Sequence, residues 1–149
     1  MIFLFLNLYI MVNWNDINDA PEFSLEGNIV EAKVLSVYDG DTIKCAFPLN
    51  NKMYKWNCRL SGVDTPEIRT RNKTEKEYGY KVRNNLREKI LGKVVNLECG
   101  DFDKYGRLLV KVKCQDDDCC VNDWLINNNF AFKYNGGTRK SWDEYLKNI

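Results

Sequence analysis

The sequence predicts an α+β domain in which five β-strands form a barrel and two to three helices pack against it. Three features of the 149-residue chain favour this fold class. The length is that of one ordinary domain. Five segments are typical of strands: the first is rich in β-branched and aliphatic residues, the second is a short run between two turns, and the last three alternate between apolar and polar residues. One segment, between the third and the fourth of these, has apolar residues at helical spacing instead.

The first three strands follow one another with only tight turns between them. They are predicted at 29–37, 42–47 and 54–60. The first ends at Asp39-Gly40, a common hairpin signal, and the second ends at a turn over 48–51. In the third strand apolar residues alternate with polar ones, so Arg59 is predicted to point away from the apolar face.

The main helix is predicted to begin at a capping box over 74–77. In such a box the Thr74 hydroxyl group and the Glu77 carboxylate satisfy free backbone amides. Apolar residues then recur at every fourth position, which places them on one helix face: Tyr78, Val82, Leu86 and Ile90. Gly92 is expected to stop the helix.

Two more strands are predicted at 95–99 and 108–114 from the same alternation. A short helix is predicted at 122–129, with Trp124 and Leu125 buried, and a second capping box lies at 141–144. Five strands with a helix between the third and the fourth suit a partly open Greek-key barrel of the OB type.

We expect the folded domain to span residues 29–149 and residues 1–28 to form an N-terminal extension. Residues 13–28 are polar and rich in turn formers, whereas residues 1–12 are almost wholly apolar. Twelve residues are too few to span a membrane, which takes about 20. Because no Lys or Arg precedes this stretch, an arm packed on the domain is favoured over a signal peptide, and an intracellular location over secretion.

The composition excludes several kinds of catalysis. The chain has no histidine, which removes Ser-His-Asp and Cys-His nucleophiles, histidine-bound zinc and an imidazole base. A metal ion is therefore expected to be a hard one, bound by oxygen. The net charge is +1, but all 22 Lys and Arg residues lie after position 32, which suits a polyanionic partner without requiring one.

The spacing of the six cysteines matches neither CxxC pairs nor a compact disulfide knot. Cys58, Cys99 and Cys114 fall at apolar strand positions, where a buried free thiol is the simplest interpretation. Reduced thiols are therefore favoured.

Two short segments concentrate acidic residues beside turns. The first is DGDT at 39–42, on the predicted hairpin, and the second is RLSGVDTPE at 59–67, which leads from a strand into a loop. Neighbouring Asp side chains and a free carbonyl group form a site for a hard cation, and a Glu nearby can act on a water molecule. The competing interpretation is that DGDT is only a turn with solvated acids.

Together the motifs resemble the staphylococcal nuclease (thermonuclease) family from residue 29 to about residue 134. Five motifs carry the resemblance: YDGDT at 38–42, RLSGVDTPE at 59–67, EYGY at 77–80, DKYGR at 103–107 and VNDWLINNNFA at 121–131. Each would be weak alone, but their order and spacing are specific. The resemblance implies an OB barrel with three helices and a nuclease that hydrolyses DNA and RNA with little sequence preference. It would cut the 5′ P–O bond and leave 3′-phosphates.

The resemblance also implies roles for individual residues. Three positions would bind Ca²⁺ through oxygen: the carboxylates of Asp41 and Asp64 and the backbone carbonyl of Thr65. Three would be catalytic: Glu67, which orients or deprotonates the attacking water, and Arg59 and Arg107, which grip the scissile phosphate.

Three further residues are expected to bind the substrate. Lys104 and Tyr105 would contact a terminal phosphate, and Tyr134 would stack on a base, unless it is an ordinary tyrosine packed at the barrel edge. We expect DNA or RNA as substrate and a monomeric protein. The alternative is a non-catalytic module that binds nucleic acid or protein on the same barrel, but such a copy should lack some of the six catalytic and metal positions, which are all present.

The chain departs from the family at both ends. Its last helix is short, and it carries the additional apolar arm. We therefore expect residues 1–12 to cover the end of the barrel that a longer last helix would cover.

Overall fold

The computed structural model describes residues 11–149, which form a closed five-stranded barrel with helices packed around it. The elements in chain order are β1 (Ile29–Val37), β2 (Thr42–Leu49), β3 (Lys52–Leu60), β4 (Val63–Asp64), α1 (Lys73–Ile90), β5 (Val94–Phe102), β6 (Leu108–Cys114), α2 (Val121–Asn127), β7 (Phe132–Lys133) and α3 (Trp142–Lys147). The barrel order is β1-β2-β3-β6-β5, and pairing of β1 with β5 completes the ring. The predicted OB-type α+β fold is confirmed, but the barrel is closed rather than partly open.

All five barrel strands were predicted, and the differences lie at their ends. β1 and β6 have the predicted bounds, whereas β2 and β3 extend towards each other because the turn between them takes only Asn50 and Asn51. Both turn residues have positive φ angles (49° and 65°), a conformation that asparagine tolerates better than most residues. β5 is longer than predicted because it continues past an irregularity between Cys99 and Phe102.

The strands β3 and β6 pair through a short parallel seam, in which three residue pairs are in register. Asn122, near the start of α2, reinforces this seam with a buried side chain. Its amide group donates to the carbonyl oxygens of Ser61 (2.8 Å) and Val110 (3.1 Å), and its side-chain oxygen accepts from the N–H of Val112 (3.0 Å). The sequence analysis assigned Asn122 to a helix but did not identify this role.

The main helix begins before the predicted capping box. Asn72 is the N-cap, and its side-chain oxygen accepts from the N–H of Glu75 at 2.9 Å. Thr74 and Glu77 lie inside the helix, because asparagine caps a helix as well as threonine and stands two residues earlier. The predicted apolar face is correct, with Tyr78 half-buried at its edge. Its buried residues are Gly79, Val82, Leu86 and Ile90.

The strands β4 and β7 pair with each other outside the barrel, with Val63 opposite Lys133 and Asp64 opposite Phe132. Neither strand was predicted, because two residues are too few to show a period. Their pairing holds the chain after β3 against the chain that follows α2.

The two shorter helices agree in part with the sequence. α2 ends at Asn127 and buries Leu125, but Trp124 is only half-buried, with the Lys89 ammonium 4.9 Å from the centroid of its ring. The capping box before α3 is confirmed, since the Ser141 hydroxyl accepts from the N–H of Glu144 at 3.2 Å. Trp142 in α3 is buried and stacks on Phe132, with ring centroids 4.0 Å apart.

The segment before β1 is attached to the barrel only by its last residues, next to β1. A short 3-10 helix at Trp14–Asp16 is exposed, whereas Leu25 is buried in the barrel core and the N–H of Gly27 donates to the carbonyl of Cys99 at 3.0 Å. The apolar arm expected over residues 1–12 lies outside the described residues except for Met11 and Val12, which are exposed. That residues 1–12 cover the end of the barrel stays a prediction.

Two further observations concern the residues that the structure describes. Within 11–149, no helix is both long enough and apolar enough to cross a membrane. All six cysteines are free thiols, and four of them are buried: Cys45, Cys58, Cys99 and Cys114.

Replacing Asn122 by alanine should destabilise the barrel by about 2 kcal/mol or more, because the backbone groups at the seam lose their partners in a buried place. Urea denaturation followed by tryptophan fluorescence measures the change. Asn127→Ala in the same helix is the control, because Asn127 is exposed and should change stability by less than about 0.5 kcal/mol. Equal losses in the two variants would show that the seam does not depend on Asn122.

Candidate active site

Arg59 lies at the end of β3 and points away from the barrel interior, as predicted, but it is not a surface charge. The residue is only 8% exposed. Its guanidinium donates to the carbonyl oxygens of Leu60 (2.9 Å) and Val63 (2.9 Å) and to the carboxylate of Asp41 (3.3 Å). Its orientation is therefore fixed by the end of its own strand, by β4 and by the β1–β2 turn.

The turn between β1 and β2 is held by a carboxylate that the sequence analysis did not assign to the site. Asp39 Oδ1 accepts from the N–H groups of Asp41 (3.0 Å) and Thr42 (2.8 Å). Burial and the nearby charge of Asp41 raise the pKa of Asp39 to about 7. Asp39 thus shapes the turn from which Asp41 reaches Arg59.

Gly40 allows this turn to approach the loop after β4. A Cβ atom at Gly40 would lie 2.7 Å from the Cβ of Thr65 and 2.8 Å from a methyl carbon of Val82, which is closer than such atoms pack. Thr65 is itself buried. Asp41 and Thr65 can therefore belong to one site only because position 40 has no side chain.

Arg107 reaches the same turn from the β5–β6 connection. Its Nε donates to the Asp103 carboxylate at 2.8 Å, and its Nη1 lies 3.5 Å from the Thr42 hydroxyl. Asp103 also accepts from the N–H groups of Arg107 and Tyr105, both at 2.9 Å. Although partial burial opposes them, these contacts hold the pKa of Asp103 below its ordinary value. Asp103 is therefore the residue that positions Arg107.

Asp64 stands in β4 and is 3% exposed. Burial raises its pKa, and the neighbouring charges of Asp41 and Glu67 act in the same direction, whereas Arg139 and Arg59 oppose the rise. Asp64 therefore lies close enough to Asp41 and Glu67 for their charges to raise its pKa.

Glu67 extends into solvent from a loop that α1 supports. Its side chain is 48% exposed. The backbone N–H of Glu67 donates to the Glu75 carboxylate at 3.1 Å, and a Cβ atom at Gly79 would lie 3.1 Å from the Glu67 carbonyl oxygen. The helix therefore holds the backbone of Glu67, while its carboxylate accepts from Arg139 at 3.3 Å.

The predicted phosphate-binding and substrate-binding residues line one groove of about 440 Å³. They are Arg59, Arg107, Lys104, Tyr105 and Tyr134. Tyr105 is largely exposed, and the cationic groups of Lys104 and Arg107 lie 5.1 and 5.5 Å from its ring centroid. Tyr134 is half-buried, and its hydroxyl donates to the carbonyl of Gly137 at 3.1 Å.

Arg139 lines the same groove and was missed by the sequence analysis. Its Nε lies 3.6 Å from Asp64 Oδ1, and its Nη1 donates to Glu67 Oε1 at 3.3 Å. No motif marked it, since it stands in the segment NGGTRK at 135–140, where a basic residue is unremarkable in a loop.

The donor set expected for Ca²⁺ consists of two carboxylates, Asp41 and Asp64, and the carbonyl of Thr65. Within residues 11–149 no three Asp, Glu, Cys or His side chains form a ready-made metal cluster. Because Ca²⁺ takes about six to eight oxygen ligands, most of them would have to come from water or substrate. The donors still fit a hard cation chemically, since they are all oxygens. Burial, and after it the charges of Asp41 and Glu67, raise the pKa of Asp64, and a divalent charge would favour its ionised form.

Comparison with known sequences agrees with this geometry. Residues 57–148 match the family described as staphylococcal nuclease homologues. The matched range contains Arg59, Asp64, Thr65, Glu67 and Arg107, and it begins after the turn that carries Asp41.

Two relatives are themselves named as uncharacterised proteins. One, from Methanocaldococcus jannaschii, is 33% identical over 124 residues, which cover 68% of this chain and 58% of that protein. The other, from Bacillus anthracis, is 36% identical over 110 residues, which cover 69% of this chain and 50% of that protein. The chain thus spans between half and three-fifths of the length of these curated relatives.

The raised pKa of Asp39 predicts a pH-dependent effect of Asp39→Asn. Between the ordinary value of 3.8 and about 7, the folded protein holds a proton that the unfolded chain releases, so wild-type stability falls as pH rises through this window. The asparagine oxygen can still accept from the turn, and it carries no charge. The stability of Asp39→Asn relative to wild type should therefore increase from pH 4.5 to pH 8, as measured by urea denaturation without divalent cations.

Asp123→Asn is the control for this experiment, because Asp123 is exposed on α2. Its stability difference from wild type should not vary over the same range. If the stability difference between Asp39→Asn and wild type also does not vary with pH, Asp39 titrates like a solvated carboxylate.

Proposed function

Because the chain belongs to the staphylococcal nuclease homologue family, we propose that it is a calcium-dependent nuclease. It hydrolyses phosphodiester bonds in DNA and RNA with little sequence preference and leaves 3′-phosphate products. The observation that carries this proposal is the convergence of two guanidinium groups, Arg59 and Arg107, on one groove beside the Asp41 turn.

Two guanidinium groups at one groove suit a phosphodiester as substrate. In-line attack of water on phosphorus adds negative charge to the phosphate oxygens, and fixed positive groups stabilise that charge. Each guanidinium has five N–H donors in a planar fork that matches two phosphate oxygens. Arg59 and Arg107 are each held by a carboxylate, Asp41 and Asp103 respectively, so they need little reorganisation when the substrate binds.

Asp41, Asp64 and the carbonyl of Thr65 are the residues that would hold Ca²⁺. The ion would supply positive charge beside the phosphate. The close approach of Gly40 to Thr65 and the place of Asp64 in the β4–β7 pair support this assignment.

Glu67 is assigned as the residue that orients or deprotonates the attacking water. It is the acid of the site with an exposed carboxylate on a loop whose backbone is fixed by Glu75. A base in such a position typically contributes about 10²–10⁴-fold to the rate. With no histidine in the chain, a carboxylate is the natural group for this task.

The remaining groove residues would bind the parts of the substrate that flank the reacting phosphate. Lys104 and Tyr105 would contact a neighbouring phosphate, and Tyr134 would stack on a base. The exposure of Tyr105 and the place of Tyr134 on the groove wall support these roles.

The test of this function is a cleavage assay with plasmid DNA, single-stranded DNA and RNA at alkaline pH, with Ca²⁺ and then with excess chelator. We expect cleavage of all three with Ca²⁺, none with chelator, and products whose 3′ ends are phosphorylated. Binding of nucleic acid without any cleavage would instead favour the non-catalytic module, in which the ion pairs of Arg139 would simply neutralise the acids.

Glu67→Gln should lower turnover by at least about 10²-fold while leaving the fold intact, since Glu67 is exposed and its amide counterpart cannot accept the proton of water. Initial rates on single-stranded DNA at saturating Ca²⁺, with thermal unfolding of each protein, measure both effects. The matched control is Glu77→Gln on the exposed surface of α1, which should keep the wild-type rate. Undiminished turnover in Glu67→Gln would remove Glu67 from the mechanism.

A further inference from the structure

Arg139 contacts Asp64 and Glu67, which bind other groups in the proposed function. Its Nε lies 3.6 Å from Asp64 Oδ1, and its Nη1 lies 3.3 Å from Glu67 Oε1. Asp64 would hold the cation, and Glu67 would hold the water. One guanidinium therefore bridges the metal-binding and the catalytic parts of the site.

The loop that carries Arg139 is shaped to bring it there. The N–H of Tyr134 donates to the carbonyl of Gly62 at 3.0 Å, which anchors the loop beside β4. The Tyr134 hydroxyl then bonds the carbonyl of Gly137 and folds the loop back. Gly136 and Gly137 have φ angles of 97° and 86°, which favour glycine, and the Arg139 guanidinium lies 5.6 Å from the Tyr134 ring centroid.

Arg139 differs from the other two arginines in how firmly it is held. Arg59 is buried and bonded to two backbone carbonyls, and Arg107 is bonded within its own turn. The side chain of Arg139 is 51% exposed, and its strongest contacts are to the two carboxylates. The pair with Glu67 is exposed on both sides and therefore weak. The buried Asp64 would keep a cationic partner only if a divalent ion took the place of Arg139.

We infer that Arg139 is a substrate-binding residue that competes with the divalent cation for Asp64 and with the attacking water for Glu67 and, once displaced, binds a phosphate of the substrate. This inference rests on the proposed function. Two cationic groups that share the same carboxylate oxygens weaken each other's binding, and that effect is reciprocal. A displaced Arg139 remains on the wall of the groove that Arg59 and Arg107 line, where an anionic substrate is its next partner.

The inference predicts effects of opposite sign for Arg139→Gln. Without nucleic acid, the variant should bind Ca²⁺ more tightly than wild type by about two- to fivefold, because no internal cation competes for Asp64. At saturating Ca²⁺, its KM for single-stranded DNA should rise by about threefold or more, because one phosphate contact is lost. A residue with a merely structural role would weaken both kinds of binding or neither.

Lys140→Gln is the matched control. Lys140 is the next residue in the chain, carries the same charge and is exposed, and its ammonium lies 5.5 Å from the Phe132 ring centroid rather than on an acid. Ca²⁺ affinity in Lys140→Gln should stay within the error of the wild-type value. Isothermal titration with CaCl₂ gives the affinities, and thermal unfolding with and without Ca²⁺ gives a second readout, since the ion should raise the midpoint of Arg139→Gln by more than that of wild type.

The outcomes separate this inference from the proposed function. Tighter Ca²⁺ binding and a higher KM in Arg139→Gln alone would support it. Unchanged or weaker Ca²⁺ binding in that variant, in a wild type that binds Ca²⁺ and cleaves DNA, would overturn the inference and leave the nuclease proposal standing. A wild type that neither binds Ca²⁺ nor cleaves nucleic acid would overturn both.

Discussion

The guanidinium of Arg59 is buried between three parts of the chain and donates a hydrogen bond to each of them. A buried charge is tolerated only when it is paired and hydrogen-bonded, so these contacts are not optional. Its partners are the end of β3, the strand β4 and the β1–β2 turn. The same group that lines the groove therefore also sets the position of Asp41 relative to the segment that carries Asp64, and the rest of the site is arranged around it.

The second constraint is that the β1–β2 turn, α1 and the loop after β4 approach one another closely, which two glycines allow. Gly40 allows the β1–β2 turn to contact Thr65 and Val82, and Gly79 allows α1 to contact the backbone of Pro66 and Glu67 at distances where a Cβ atom would clash. Helix, turn and loop thus meet without a side chain between them. Polar contacts such as that of Glu75 with Glu67 can then be short and local, which keeps flexible loops in defined positions.

The sequence predicted what depends on periodicity and missed what depends on distant partners. Strand composition, turn signals and alternation located the five barrel strands, and steps of four located the buried face of α1. The β4–β7 pair, the buried amide of Asn122 and the ion pairs of Arg139 join residues far apart in the chain, and no local pattern announces them. The predicted N-cap of α1 was wrong for a local reason. Asn72 and Thr74 are both good N-cap residues, and only the backbone conformation decides between them. Six metal-binding and catalytic positions were proposed from motifs, and the structure brings them to one region, but their roles remain proposals.

Charge pairing explains how so many ionised groups share one region of the fold without a histidine among them. Each arginine of the groove faces a carboxylate: Arg59 faces Asp41, Arg107 faces Asp103, and Arg139 faces Asp64 and Glu67. A carboxylate occupies only some of the five N–H donors of a guanidinium, so the paired arginine is oriented and still able to bind phosphate. Burial distinguishes these pairs. The side chains of Arg59 and Asp41 are largely buried, whereas those of Arg139 and Glu67 are about half exposed.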